Sequence, residues 1–159
     1  MVRKLKIGFI GAGYISQVCH LPFFLNNKNC KIIAIVEKNK TLLNKVANRF
    51  KVQNRFTDYK DIIKKKLFLD AVVICVNKFL TSELSSFFLK KKIAVFSEKP
   101  IAISLNSAKK LNELAKKYKT PLVVGFMKRH DYGSKIIKEF IQTKKNTKYK
   151  KNSVRLSYG

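Results

Sequence analysis

Short apolar runs separated by longer polar stretches recur along the whole 159-residue chain. Six of the runs read as strands: Leu5–Ile10, Lys31–Val36, Arg55–Thr57, Asp70–Val76, Ile93–Ser97 and Pro121–Phe126. Several are continuous rather than alternating, Ala71-Val72-Val73-Ile74-Cys75-Val76 above all. Successive strand side chains point to opposite faces, so a continuous run fits a strand covered on both sides within a parallel sheet. Between the runs the period becomes helical. Leu43, Val46, Ala47 and Phe50 fall at i, i+3, i+4 and i+7, and Leu111, Leu114, Ala115 and Tyr118 repeat that spacing. Each set marks one face of a helix. Ser104 is placed to cap the second of these helices, and Asp58 to cap a short one carrying Ile62 and Ile63. Pro22 falls inside the first helical segment and predicts a kink, because proline offers no N–H and its ring crowds the preceding turn. A last helix is predicted over Asp131–Ile141.

Strands alternating with helices imply right-handed crossovers and one doubly wound, parallel α/β sheet. The polar, Lys-rich stretch Gln142–Asn152 then reads as a linker, and Ser153–Tyr158 alternates like a half-buried strand. The division expected is a nucleotide-binding domain over 1–142, with 143–159 supplying a linker and the first strand of a second α/β domain whose remainder is missing.

Composition narrows the class. With 46% hydrophobic residues the chain has enough apolar surface for a core, unlike a disordered segment. No apolar run reaches 18 residues, so no membrane-spanning helix is expected. The basic and then apolar start, Met1 to Ile15, is too short and too broken by Gly8, Gly11 and Gly13 for a signal peptide, and reads as a strand entering a glycine turn. Cys19, Cys30 and Cys75 show no metal-ligand spacing. An odd count without a secretory leader points to reduced thiols in a cytoplasm, with Cys75 a core residue. Lys plus Arg number 35 against 9 acids, a formal charge of +26. Such a field attracts polyanions non-specifically. Nearly all of it is Lys spread along the chain, whereas nucleic-acid readers cluster Arg on one face among aromatics. The charge therefore reads as solvated helix faces filled with Lys and Asn, and no specific nucleic-acid or membrane partner is expected.

Three motifs carry chemistry. Gly11-Ala12-Gly13-Tyr14-Ile15-Ser16 is a G-x-G-x-x-S turn between the first strand and the first helix. Gly11 permits the tight turn, and Gly13, without a Cβ, lets a pyrophosphate approach the backbone. The free N–H groups of the helix start, from Tyr14 and Ile15 onward, then face the phosphates. A glycine turn alone is a weak signal, but one that follows a strand and opens a helix has the context a dinucleotide fingerprint needs. Ser16 replaces the third glycine, which predicts slightly wider helix–strand packing. Glu37, at the end of the second strand, lies about as far past the glycines as a ribose-binding acid does. Its carboxylate accepts from both ribose hydroxyls of NAD and repels the 2′-phosphate of NADP, while Lys38 beside it works the other way. Glu98-Lys99-Pro100 follows the fifth strand at the sheet edge where ligands bind. A Lys ammonium there stabilises charge on a substrate oxygen during hydride transfer.

Taken with His20-Leu21-Pro22 and Gly125-Phe126-Met127-Lys128-Arg129, these motifs stand in the order of the glucose–fructose oxidoreductase / inositol dehydrogenase (Gfo/Idh/MocA) family, which the chain resembles over nearly its whole length. The resemblance implies a Rossmann domain binding NAD, with NADP as the alternative, and a C-terminal domain that takes sugars, cyclitols or related polyols. It makes Lys99 the catalytic lysine beside the nicotinamide, with Glu98 alongside, and puts Arg129 near the same ring. It also assigns cofactor contacts to Glu98 and Lys99 themselves, and to Val76 and Asn77. That loop, Val76-Asn77-Lys78, departs from the family's Thr-Pro-Asn type, and Thr81 stands where a His is usual. A cis Lys99–Pro100 peptide is implied too. His20 reads as a packing or capping residue. The family's catalytic Asp and His belong to the second domain, so this chain reads as a truncated oxidoreductase, expected to self-associate or to join a separately encoded C-terminal partner. The alternative is a non-catalytic nucleotide-binding module that senses NAD or acts through a partner.

Overall fold

All six predicted strands form, and they join in one parallel sheet. The computed structural model describes residues 3–143; Ser153–Tyr158 and most of the predicted linker lie outside the described residues. The strands are β1 (Leu5–Ile10), β2 (Cys30–Val36), β3 (Asn54–Phe56), β4 (Ala71–Ile74), β5 (Ala94–Ser97) and β6 (Leu122–Val124). Their order across the sheet is β3-β2-β1-β4-β5-β6, and every pairing is parallel. This is the doubly wound Rossmann arrangement, which reverses direction between β1 and β4 and opens a crevice there at the C-terminal ends of the strands. The chain divides into two compact units, Met1–Gly125 and Phe126–Gly159. The first holds the sheet. The described part of the second consists of a 3-10 turn, Met127–Arg129, and an α-helix, Tyr132–Thr143.

The continuous apolar runs divide between two cores as the strand period requires. Phe9, Ile35, Val73 and Cys75 face one cluster, closed by Leu21 of helix α1 (Leu21–Asn26) and by Leu43, Val46 and Ala47 of α2 (Lys40–Arg49). Ile10, Val36, Val72, Ile74 and Val95 face the other. That face is covered by Ile62 of α3 (Lys60–Lys64), Leu84, Phe88 and Leu89 of α4 (Lys78–Lys90), and Leu111 of α5 (Leu105–Lys117). Ser104 caps α5 by accepting from Ser107 N–H, and Asp58 accepts from Lys60 N–H at the start of α3. The kink expected at Pro22 takes the form of a π-helical stretch, Ser16–His20, that runs into α1 with Pro22 in its first turn. A widened turn accommodates the missing proline N–H.

At the start of the fourth strand a side chain explains why the limit differs from expectation. The fourth strand begins at Ala71 because the Asp70 carboxylate reaches to β1, accepting from Lys6 N–H at 2.8 Å and from the Arg3 guanidinium at 2.6 Å. Burial by itself would raise the Asp70 carboxyl; the bonds from Lys6 and Arg3 outweigh it and hold that group below its ordinary value.

Helices α2 to α5 all end alike. Lys51, Lys66, Lys92 and Lys119 take left-handed φ of 50° to 57°. Each donates its N–H to a carbonyl in the last turn, and the next residue reaches one carbonyl further back, as Val52 N to Ala47 O and Ile93 N to Phe88 O. These are Schellman ends with lysine in the position glycine usually takes. A side chain there is strained by roughly 1 kcal/mol. Substituting glycine at any of the four is therefore expected to stabilise the domain by about 0.5 kcal/mol, and all four together to raise the thermal midpoint by roughly 5 °C. Calorimetric unfolding of the quadruple variant checks this, and an unchanged or lower midpoint would contradict it.

Candidate functional site

The turn after β1 is built from residues with opposite spatial requirements. Gly11 has φ 93°, and a Cβ on it would lie 2.3 Å from the Cys75 carbonyl oxygen. Only glycine fits, because the backbone of the adjoining strand passes directly over it. A Cβ on Gly13, by contrast, would meet nothing within 4 Å. Protein packing gives no reason for glycine there; open space does.

Three bonds set the turn. Gly11 N–H donates to Val36 O at 2.8 Å. Ala12 N–H donates to Glu37 Oε2 at 3.0 Å, and Ser16 Oγ donates to Gly11 O at 2.7 Å. Ser16 is fully buried. Standing in place of a third glycine, it latches the helix start to the glycine turn. Cys75 is a core thiol that burial pushes up to about 11.

Gly11, Gly13, Glu37, Val76 and Asn77 all line one cleft of about 750 Å³ at the C-terminal edge of β1, β2 and β4. Thr57 and Tyr59 after β3, and Leu80 and Glu83 of α4, complete its wall. Sequence motifs did not single out these four, although Thr57 and Tyr59 lie just past the end of β3 on the same sheet edge. Tyr59 donates to Glu83 Oε1 at 3.2 Å and packs edge-on to Phe87. Asn77 caps α4 by accepting from Phe79 N–H, and Thr81 is buried with its hydroxyl bonded to Asn77 O. Both Glu37 oxygens already accept an N–H, from Ala12 and from Asn39. Each carboxylate oxygen has a second lone pair, so the group retains acceptor capacity on both.

Tyr14 and Ile15 follow Gly13 on the exposed first turn, where N–H groups have no intrahelical acceptor. Glu98 and Lys99 lie outside the cleft wall but on the same edge. Ile10 is in register with Ile74, and Ile74 with Ser97, so the glycine turn and Lys99 leave the sheet at one level with β4 between them. The Lys99–Pro100 peptide is cis. His20 does not cap a helix: no side-chain cap bond is made at the start of α1. It packs against Phe96 and bonds Glu98. Arg129 belongs to the second unit, where its guanidinium lies over the Phe126 ring.

A glycine turn between β1 and a helix, an acid ending β2 and an open crevice at the switch point define a dinucleotide-binding Rossmann domain. Comparison with known proteins specifies it. Residues 5–126 match the family model for the oxidoreductase family with an NAD-binding Rossmann fold, Gfo/Idh/MocA. The chain belongs to that family and comprises its NAD-binding domain. It is 28% identical over 138 residues to a myo-inositol 2-dehydrogenase of Thermotoga maritima, an alignment covering 87% of this chain and 41% of the relative. Among solved structures, a Gfo/Idh/MocA family oxidoreductase from Vibrio cholerae superposes with a TM-score of 0.77 at 34% identity, covering 87% of this chain and 44% of that one. The scyllo-inositol dehydrogenase of Lactobacillus casei with bound NAD(H) and scyllo-inositol shares the fold, with a TM-score of 0.81 at 22% identity over 91% and 43% of the two chains. The chain thus spans about two fifths of the length of such relatives. Among the described residues no helix is long and apolar enough to cross a membrane.

Proposed function

We propose that this chain holds NAD across the crevice and serves hydride transfer between the nicotinamide and a secondary alcohol or ketone of a sugar- or cyclitol-like substrate. The observation that carries the reading is the contrast in the turn: Gly11 is required by the protein's own backbone, whereas the space beside Gly13 is open toward the cleft. In this reading the pyrophosphate lies over Gly13 and the first-turn N–H groups of Tyr14 and Ile15. Glu37 accepts from the ribose hydroxyls, and Val76 and Asn77 flank the cofactor. The bound nicotinamide supplies or receives the hydride. Lys99 meets the substrate oxygen as charge develops there, and Glu98 lies beside the cofactor. The role of Arg129 rests on the family motif alone. The Thermotoga relative is named for its action on myo-inositol, which supports a cyclitol or sugar as substrate. Free Cys19, Cys30 and Cys75 support a reducing cytoplasm. Residues 1–142 form the cofactor domain in this account, completed by a C-terminal α/β domain, by self-association or by a separate chain.

Glu37 sets a preference for NAD over NADP. Calorimetric titration at physiological salt is expected to give tighter binding of NADH than of NADPH, with Glu37→Ala erasing the difference; tighter NADPH binding by the unaltered protein would overturn the assignment. Low salt is the wrong condition, because a net charge of +26 favours the more anionic ligand when screening is weak.

The purified chain is further expected to form little NADH from inositols or simple sugars. Positioned acid–base groups contribute ~10²–10⁴-fold to such steps. Neither His20, held by Glu98, nor His130 falls in a motif that supplies one. Robust turnover by a monomeric sample would contradict this.

A further inference from the structure

His20 Nε2 lies 2.7 Å from Glu98 Oε1, and the two side chains are only 16% and 21% exposed. The imidazole stands edge-on to Phe96 with ring centroids 5.4 Å apart, so packing fixes the ring as well as the bond. The other carboxylate oxygen, Oε2, accepts from the backbone N–H of Lys99 at 3.1 Å. Glu98 is therefore turned inward toward the first helical segment with both oxygens engaged. By sequence it is also the acid nearest Lys99, and in a chain with 9 acids against 35 basic residues a loose carboxylate beside a lysine is a ready ion-pair partner. Yet among the described residues the Lys99 ammonium makes no ion pair or hydrogen bond.

We propose that His20 is a positioning residue: by taking up the Glu98 carboxylate it leaves the ammonium of the adjoining Lys99 unpaired, on the sheet edge that carries the glycine turn. The inference rests on the reading of Lys99 as the amine that meets the substrate oxygen, since an ammonium held by its neighbour has less donor capacity for a developing oxyanion. The imidazole needs only its Nε2–H to do this. A lysine or arginine at position 20 would also bind Glu98, but would bring a second permanent cation toward Lys99. His20 ends the π-helical stretch of the segment that starts at the glycine turn, so the same stretch of chain supports both the turn and the lysine.

Amine reactivity reads this directly, because a lysine acylates through its free amine and an ion pair favours the protonated form. Limited acetic anhydride labelling at one pH, quantified by peptide mass spectrometry with Lys109 and Lys116 of α5 as internal references, compares four proteins without cofactor. His20→Ala is expected to slow Lys99 labelling about two- to fivefold, the factor an exposed ion pair produces. Adding Glu98→Gln to His20→Ala is expected to restore it. Glu98→Gln alone is expected to leave Lys99 at the unaltered rate, because the carboxylate is already turned away; this arm decides the question should His20→Ala fail to fold by circular dichroism. An unchanged or faster Lys99 in His20→Ala, or a faster Lys99 in Glu98→Gln, would overturn the proposal. None of these results depends on NADH binding, which is titrated separately, so failure here and failure of the cofactor reading are told apart.

Discussion

Replacing Gly13 with valine is expected to leave the domain folded and to weaken NADH binding at least about tenfold, a loss of roughly 1.4 kcal/mol or more. The separation of the two effects follows from the local geometry. A Cβ at 13 would meet no neighbouring atom within 4 Å, and the backbone there is not left-handed. The thermal midpoint is therefore expected to move by no more than about 2 °C, the size of a weak change at a helix start. The same open space is where the account lays a pyrophosphate, and two methyl groups placed there hold the phosphates off the first-turn N–H groups. Fluorescence titration with NADH beside calorimetric unfolding separates the two quantities. Unaltered affinity in a folded Gly13→Val protein would remove the turn from the site.

Gly11→Ala is expected to do the reverse damage. Its Cβ has to occupy a point 2.3 Å from the Cys75 carbonyl oxygen, at a φ of 93° that side chains avoid. Strand β4 and the bonds Gly11 N to Val36 O and Ser16 Oγ to Gly11 O have to give way. A cost of at least about 3 kcal/mol is expected, seen as a midpoint roughly 10 °C lower. A shift within about 2 °C would mean that the turn relaxes freely, and that its shape is not imposed by the sheet. The pair of variants thus distinguishes a glycine the fold needs from a glycine the ligand needs, two requirements that look identical in the motif.

The strand pattern was legible because burial on two faces leaves a continuous signature. Ala71–Val76 divides residue by residue between the two cores, as its composition implies. Helix starts were legible at Ser104 and Asp58, which use ordinary capping chemistry. Helix ends were not, because lysine occupies the left-handed positions at 51, 66, 92 and 119 where glycine would have announced a stop. The π-helical stretch at Ser16–His20 was legible only as a proline kink, since the way a helix absorbs a proline depends on what packs beside it. In the site, motif residues close in sequence or fixed by spacing stood out, and the partners brought in by the fold did not. Tyr59 and Glu83 meet at the cleft from separate crossovers. The bond between His20 and Glu98 spans 78 positions, and no local pattern encodes it. Ser16 was visible as a departure from the fingerprint, but its use as a latch depends on the Gly11 carbonyl lying within reach.

The most direct test of the account is a titration of the unaltered chain with NADH at physiological ionic strength, repeated at several salt concentrations and with inorganic pyrophosphate for comparison. The net charge of +26 binds any polyanion to some degree, and that component fades as salt screens it. Saturable one-to-one NADH binding that survives at high salt is expected, while pyrophosphate binding is weaker and fades. NADH binding that fails to saturate, or that fades with salt in parallel with pyrophosphate, would contradict it.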